Sequence, residues 1–252
     1  MNDVIKINRK FRSAIIVFSA LIIIAITMIV LANRFIEDEN IQYIIYFVVL
    51  LALLFIIIGY KNKFDQITNL SYIIKIRENS GDPLSMVHTK DLTNYREFIQ
   101  KKGFILFAQD KEHTLFYRIS EDQIKKIFSK HMLEVVIILD PQVKGFYLDQ
   151  VNEEVSKIQH LKPNERLKLD RIFVTQIKPI SDLSDQTKEE IKEIIFIKTT
   201  GTSLFLRSNT TIISTINIGL YRESMKAVLL YSDTYSPSLY YQYHINEIKS
   251  MV

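Results

Sequence analysis

Two long apolar blocks near the start of the chain dominate its hydrophobic pattern. Residues 13–32 and 41–60 contain no charged side chain over 20 positions each. At about 1.5 Å rise per residue, a helix of this length spans the ~30 Å hydrocarbon core of a bilayer. Ile, Leu, Val and Phe fill most of the first block, and each favours insertion by roughly 0.3–0.6 kcal/mol. The pattern predicts a transmembrane hairpin of two helices.

Two other interpretations of these blocks explain part of the pattern. Ile-rich runs also suit the interior of a soluble protein, but two uncharged runs of this length are rare in soluble domains. The basic residues before the first block are typical of a cleaved signal peptide, yet the apolar region is longer than the usual ~7–15 residues. We therefore expect an uncleaved membrane anchor.

Basic residues flank the predicted hairpin unevenly. The connection at residues 33–40 holds one arginine and three acidic residues, whereas six lysines and arginines lie in residues 1–12 and 61–63. Because flanks rich in Lys and Arg stay in the cytoplasm, we expect both termini there, at a bacterial inner membrane. Basic and aromatic side chains at the ends of the helices would contact the lipid interface. These residues are Lys6, Arg9, Lys10, Arg12, Tyr43, Tyr46, Tyr60, Lys61 and Lys63.

After the hairpin, short apolar segments alternate with polar turns. We interpret residues 1–12 as a basic leader, 61–90 as a juxtamembrane helix and linker, and 91–252 as one cytosolic domain. The segments in that domain favour an α/β or α+β fold, with a mixed sheet of five to seven strands covered by helices. Helices are predicted at 91–102, 120–131, 148–161, 184–193 and from 237, and strands at 104–108, 114–119, 135–139, 169–177, 194–197, 203–207, 211–218 and 227–231.

Charge and composition narrow the possible functions. The chain has 252 residues with 32 basic and 28 acidic side chains, a net charge of +4. This nearly even mixture makes a nucleic-acid partner unlikely. The absence of cysteine excludes disulfides and thiolate metal sites and suits a reducing cytoplasm. Abundant Ile and Lys without Trp suggests a bacterial source.

Familiar cofactor motifs are missing from the sequence. Neither a G-x-x-x-x-G-K-[ST] nor a G-x-G-x-x-G loop occurs, so we expect no nucleotide-loop enzyme and no cofactor. The histidines lack the paired spacing of a metal-binding helix, and we expect no metal site. They are His88, His113, His131, His160 and His244.

Asp140 is the one weak candidate for a catalytic residue. It ends the apolar run 135–139, and open α/β sheets place ligand-contacting carboxylates at such positions. However, Asp-Pro pairs such as Asp140-Pro141 are also common in turns that bind no ligand. A metal-dependent nuclease would need a further carboxylate and a lysine on the next strand. The segment 190–192 has suitable residues but lies in a predicted helix.

Tyrosines are concentrated near the end of the chain. Six of the thirteen lie in residues 221–243. Tyrosine combines a large apolar ring with a polar tip, so this density suits a partner-binding surface or a platform on which nucleic-acid bases stack. Core packing at the end of the domain is the simplest interpretation. The candidate binding residues are Tyr235, Tyr240, Tyr241 and Tyr243.

The predicted membrane helices carry small residues but no ionisable ones. Without an Asp, Glu, Lys, Arg or His inside the spans, transport through a single copy is disfavoured. Ala25 and Ala32, and likewise Ala52 and Gly59, are seven residues apart and allow close approach of helices. This spacing serves either packing within the hairpin or a homo-oligomer.

These observations favour a membrane-tethered interaction domain over an enzyme. Such a domain would bind a membrane-associated protein partner, because tethering raises its effective concentration there. A first alternative is a regulated membrane effector of the toxin or phage-defence type, whose cytosolic domain senses a ligand and whose hairpins oligomerise. A second alternative is a membrane-anchored metal-dependent hydrolase or nuclease that uses Asp140.

Overall fold

The computed structural model describes residues 2–124, 130–146, 149–161, 167–192, 194–199 and 211–252. The chain divides into two compact units, residues 1–75 and 76–252. The first consists of two long helices, and the second is an α/β domain.

The first unit is an antiparallel pair of long helices, α1 (Asn2–Phe35) and α2 (Glu39–Glu78). The last three residues of α2 belong to the second unit. The segments Phe11–Phe35 and Glu39–Lys61 are long and apolar enough to cross a membrane. Only 11% and 6% of their most apolar windows are buried. A core helix of a soluble protein would instead bury most of such a window.

Aromatic contacts join the two helices near the chain terminus, and a hydrogen bond joins them near the connection. The ring centroids of Phe18 and Tyr60 are 5.2 Å apart, and those of Phe11 and Phe64 are 5.7 Å apart. At the other end, the Tyr46 hydroxyl donates a hydrogen bond to Asn33 Oδ1. The predicted connection 33–40 is thus shorter than expected, because helix covers all of it except residues 36–38.

The small residues of the two helices differ in exposure. Ala25 and Ala32 of α1 are 8% and 4% exposed, whereas Ala52 and Gly59 of α2 are exposed. No atom lies within 4 Å of a Cβ built on Gly59. Packing within the hairpin therefore accounts for the alanines of α1 but not for the small residues of α2.

Most residues predicted to contact the membrane interface lie on the surface of the hairpin. Arg9, Arg12, Tyr43 and Lys61 are exposed, and Tyr46 and Tyr60 are half-buried. The side chains of Lys6, Lys10 and Lys63 lie outside the described part of the structure.

The second unit contains eight strands and four helices within its described residues, in addition to the end of α2. In chain order they are β1 (Leu84–Ser85), α3 (Leu92–Lys101), β2 (Ile105–Gln109), β3 (His113–Glu121), β4 (Lys130–Leu139), α4 (Asp149–Gln159), β5 (Lys168–Ile180), α5 (Asp185–Ile191), β6 (Ile194–Thr199), β7 (Thr211–Tyr221), β8 (Lys226–Leu229) and α6 (Leu239–Met251).

All eight strands belong to one mixed sheet. Its order is β1-β8-β7-β5-β4-β3-β2, and β6 pairs with the first half of β7. Strands β4, β5 and β7 are parallel, with Val135 paired to Val174 and Thr175 to Ile216. The other pairings are antiparallel. The predicted mixed α/β architecture is confirmed, and the two-residue strand β1 brings the strand count above the predicted maximum.

Helices cover both faces of the sheet. On one face, α4 and α5 pack against alternate residues of β3, β4 and β5, including Leu115, Leu133 and Ile172. On the opposite face, α6 packs its Tyr240 against Met132 and Phe173. Residues 132–139 of β4 are all buried, as expected for a strand covered on both faces. The predicted strand 135–139 is therefore confirmed and lies inside the sheet.

Several helix boundaries follow from local capping. Asp91 accepts a hydrogen bond from the Thr93 N–H and begins α3, and Gly103 with φ of +87° follows its end. Ser184 begins α5 and Ser238 begins α6 in the same way. The predicted helix starts at residues 91 and 184 are therefore confirmed as N-cap positions, and α6 begins two residues after the predicted Pro237.

The helix predicted at residues 120–131 is wrong at both ends. Strand β3 continues through Glu121, which pairs with His131 of β4. The spacing of Ser120 and Gln123 is typical of a helix cap, but the Ser120 hydroxyl donates instead to Glu134 Oε1 at 3.0 Å. Cross-strand pairing thus overrides the local capping pattern. Residues 125–129 lie outside the described part.

Strand β5 also departs from the predicted pattern. The prediction ended this strand at residue 177, but it continues to Ile180, and Pro179 pairs with Leu220. Pairing with β4 stops at Ile177, so Pro179 lies where β5 has a neighbour on one side only. A strand tolerates proline there because no second ladder needs its N–H. The strand predicted at 203–207 lies outside the described residues.

Candidate functional site

The carboxyl ends of the parallel strands β4, β5 and β7 meet at one edge of the sheet. The chain leaves these strands at Asp140, Ser181 and Arg222. In α/β sheets, ligands bind outside the carboxyl ends of parallel strands, because the loops that follow them converge. A ligand site is therefore expected at this edge of the sheet.

A cleft of about 330 Å³ lies at this edge, between the loop after β4 and helix α5. Its size is near the lower limit of typical ligand sites. Both signs of charge line it, together with hydroxyl and apolar groups. The lining residues are Pro141, Phe146, Lys178, Pro179, Ile180, Ser181, Asp182, Thr187, Glu190 and Arg222.

Lys178 forms part of the cleft wall. Its side chain comes from the end of β5, and its Nζ donates hydrogen bonds to the carbonyl oxygens of Val143 and, at 3.1 Å, Gly145. The ammonium also lies 5.7 Å from the ring centroid of Phe146. Burial lowers the pKa of Lys178, and the charge of Glu190 opposes this change only in part. Lys178 thus holds the loop after β4 in place with a partly desolvated charge.

Asp182 and Glu190 provide the negative side of the cleft. Asp182 Oδ1 accepts hydrogen bonds from the Ser184 N–H at 3.0 Å and the Thr187 hydroxyl at 3.1 Å. These bonds, the backbone one first, lower the pKa of Asp182 and keep it ionised. Glu190 Oε1 accepts a hydrogen bond from Gln186 at 3.1 Å. With the exposed Arg222 opposite, the cleft can receive a ligand that carries both signs of charge.

Asp140 lies beside this cleft and stabilises a turn. Its Oδ1 accepts a hydrogen bond from the Gln142 N–H at 2.9 Å, and its carbonyl oxygen accepts one from the Val143 N–H. Its neighbour Pro141 lines the cleft. The structure therefore gives Asp140 a turn-forming role, and its catalytic role stays a prediction. Residues 190 and 192 lie at the end of helix α5, as the sequence predicts.

The four candidate tyrosines lie on or just before α6. Tyr240 and Tyr241 are 7% and 1% exposed, whereas Tyr235 and Tyr243 are half-buried. The Tyr240 hydroxyl donates to Asp122 Oδ2 at 2.6 Å, and burial, then this bond, raises its pKa to about 12. A partner surface formed by these residues would have to use Tyr235 and Tyr243. Their predicted binding role stays a prediction.

A buried polar network lies between α6 and the sheet. Glu134 of β4 accepts hydrogen bonds from Arg118 at 2.7 Å and from Tyr243 at 3.3 Å. Arg118 also pairs with Glu247 of α6 at 3.0 Å. One guanidinium thus pairs with two carboxylates, so each carboxylate has an oppositely charged partner beside it. This network fixes α6 on the sheet.

Sequence reasoning missed a cluster of Asp110, His113 and Glu154 at the same sheet edge. His113 Nε2 is 2.6 Å from Glu154 Oε2, and its Nδ1 is 3.2 Å from Asp110 Oδ1. Glu154 lies on α4 and is 5% exposed. One signal was available in the sequence: Glu154 falls beside Val155 and Ile158 on the apolar side of an amphipathic helix.

Hydrogen bonds from several groups surround Asp110 in this cluster. Burial raises its pKa, but hydrogen bonds from the backbone N–H groups of His113 and Glu112, together with the His113 charge and the Gln150 amide, lower it overall. Gln150 Nε2 bridges the cluster, since it donates to Asp110 Oδ2 at 3.0 Å and to Glu154 Oε1 at 3.2 Å. The carboxylate of Asp110 therefore stays ionised in a fixed orientation.

In comparisons with known proteins, no family model, curated sequence or solved structure matches the chain. Its function must therefore be inferred from the geometry of the site.

Proposed function

We propose that this chain is a membrane-tethered binding domain, which holds a partner in the cleft between Lys178 and Arg222. The observation that carries the binding role is the position of the cleft at the carboxyl ends of three adjacent parallel strands. The two long apolar helices, whose side chains are mostly exposed, support the membrane anchor.

The proposed topology puts the α/β domain at the cytoplasmic face of a bacterial inner membrane. Six basic residues lie before the first membrane helix and after the second, whereas the connection between the helices carries three acidic residues and one arginine. An anionic cytoplasmic leaflet attracts each nearby Lys or Arg with about 1 kcal/mol. Exposed Tyr43 near the connection and half-buried Tyr60 at the opposite end suit the two interfaces.

The cleft suits a polar segment of a membrane-associated protein. A volume of about 330 Å³ accommodates a few side chains. Arg222 would pair with an acidic side chain of the partner, and Asp182 and Glu190 with a basic one. Tethering confines both proteins to one surface, so that a weak contact in this cleft suffices for association.

Site-specific photo-crosslinking of the full chain in native membranes tests this proposal. A photoreactive phenylalanine analogue replaces Ser181, which lines the cleft, or the exposed Ser156 on α4 as the matched control. We expect a reproducible protein adduct from position 181 that is lost with Arg222→Glu and absent from position 156. No adduct from position 181, or the same adducts from both positions, would contradict the proposal.

A regulated membrane effector is the second candidate, because Ala52 and Gly59 of α2 are exposed. Small residues on a lipid-facing surface allow helices of several copies to pack closely. In this case the cleft would bind a small polar molecule and its occupancy would control assembly. This candidate predicts oligomers in detergent that dissociate with Gly59→Leu, and membrane depolarisation when the protein is triggered. A chain that stays monomeric in detergent would count against it.

A further inference from the structure

The cluster of Asp110, His113 and Glu154 contains a buried imidazole nitrogen without a hydrogen bond. The His113 side chain is fully buried, and its Nδ1 has no hydrogen-bond partner. Asp110 Oδ1 lies 3.2 Å from Nδ1 but not in hydrogen-bonding alignment. Buried polar atoms in folded proteins are almost always paired, so an unpaired nitrogen beside a carboxylate requires an explanation.

The contact on the other side of the ring fixes the tautomer. A carboxylate only accepts hydrogen bonds, so the 2.6 Å contact with Glu154 Oε2 places a proton on His113 Nε2. The form of the ring that binds a metal ion carries no second proton, and in that form the lone pair of Nδ1 lies towards Asp110 Oδ1. Two electron-rich atoms face each other there, and this arrangement favours a cation between them.

The charge of the cluster also favours a cation. Two carboxylates converge on one imidazole, and no lysine or arginine in the described part of the chain forms an ion pair with Asp110 or Glu154. Gln150 bridges the carboxylates without adding charge. A divalent ion would neutralise both carboxylates.

The distances agree with metal coordination. Ligands about 2.0–2.2 Å from Zn²⁺ lie roughly 3 Å from each other in tetrahedral or octahedral geometry. The 3.2 Å separation of His113 Nδ1 and Asp110 Oδ1 is close to that value. Metal-bound histidines usually donate their other ring N–H to a carboxylate, which is the position that Glu154 occupies. The Asp110 side chain is 38% exposed and leaves a path for the ion and for water ligands.

We infer that His113 Nδ1 and Asp110 Oδ1 bind a divalent first-row transition metal ion such as Zn²⁺, and that Glu154 orients the imidazole. An imidazole ligand favours such an ion over Mg²⁺ or Ca²⁺. The site lies beside Asp140, whose N–H donates to the Glu112 carbonyl oxygen at 2.8 Å. It does not depend on the proposed membrane partner.

Calorimetric titration of the tag-free full chain in detergent with ZnCl₂ tests this inference. We expect one Zn²⁺ per chain, with binding weakened at least about tenfold by Asp110→Asn and about 10–100-fold by Glu154→Gln. The matched controls are Glu112→Gln and Glu153→Gln, which remove the same charge from exposed neighbours in the turn and on α4. Their affinities should stay within about twofold of the wild type.

A second readout uses Co²⁺, whose visible absorption reports its ligands. The wild type and both controls should show the same absorption bands, and Asp110→Asn should lose them. Melting curves without metal establish whether each variant is folded. If Asp110→Asn does not fold, the loss of Zn²⁺ affinity in Glu154→Gln, compared with the controls, decides whether the inference holds. No uptake by the wild type, or equal losses in the controls and the site variants, would overturn the inference.

Discussion

Lys178 at the end of β5 donates a hydrogen bond to the carbonyl oxygen of Gly145, 3.1 Å away in the loop after β4. This contact joins two neighbouring parallel strands on the side where the cleft opens. The partly desolvated ammonium group of Lys178 therefore holds the far part of this loop, beyond the turn that Asp140 forms.

Replacing Lys178 with Met should loosen this loop without unfolding the domain. The variant loses hydrogen bonds to two carbonyl oxygens, but it also removes the cost of burying an ammonium group. We expect trypsin to cleave after Lys144 several-fold faster, while the melting temperature changes little. Mass spectrometry of the digest measures the rate. The control is Lys188→Met on α5, and equal digestion of the two variants would refute the role of Lys178.

His244 makes the stability of the domain depend on pH. It lies on the buried side of α6, where its ring nitrogens are 3.0 Å from the Thr175 hydroxyl and 3.1 Å from the Ser214 hydroxyl of the sheet. Burial lowers its pKa to about 3 from the usual 6.5. Between these values the unfolded chain binds a proton that the folded chain excludes, so acid favours unfolding.

The free energy of unfolding should thus fall by about 1.4 kcal/mol for each pH unit below roughly 6.5, through His244 alone. Urea titrations of the wild type and His244→Gln from pH 7 to pH 4 measure the difference in slope. We expect the variant to lose this part of the slope and the control His160→Gln, at an exposed position, to keep it. If the free energy of unfolding fell equally with pH in all three proteins, the pH dependence could not be assigned to His244.

Gly219 of β7 is required for close packing of α5 on the sheet. A Cβ at this position would lie 2.5 Å from Ile191 Cδ1 and 2.9 Å from Ile180 Cδ1. We expect Gly219→Ala to destabilise the domain by about 1–3 kcal/mol through this overlap. Adding Ile191→Val removes the closest atom and should recover part of the loss. Strictly additive effects in the double-mutant cycle, measured by urea unfolding, would show that the two residues do not interact.

Local patterns in the sequence predict most of the secondary structure. These patterns include continuous apolar runs such as residues 135–139 and capping residues such as Asp91 and Ser184. Each acts over a few neighbouring positions, so it can be recognised in the sequence alone. The helix predicted at 120–131 failed because Ser120 and Glu121 pair with β4 instead. A sequence window cannot show that such a partner strand exists.

The candidate sites depend more strongly on long-range proximity. His113 and Glu154 are 41 residues apart, and only the pairing of β3 with β4 and the packing of α4 bring them together. The cleft combines residues from the ends of three strands and from α5. Asp140 was a useful indicator of this edge, because it ends the most deeply buried strand.

Cysteine accessibility measures directly whether the hairpin is inserted in a membrane. The chain has no natural cysteine, so Asp38→Cys in the connection and Lys144→Cys in the α/β domain each provide a single reactive thiol. Protoplasts that express either variant are treated with a membrane-impermeant maleimide before or after permeabilisation. We predict that Asp38→Cys reacts in intact protoplasts and that Lys144→Cys reacts only after permeabilisation. Reaction of both thiols in intact protoplasts, or of neither before permeabilisation, would contradict the proposed anchor.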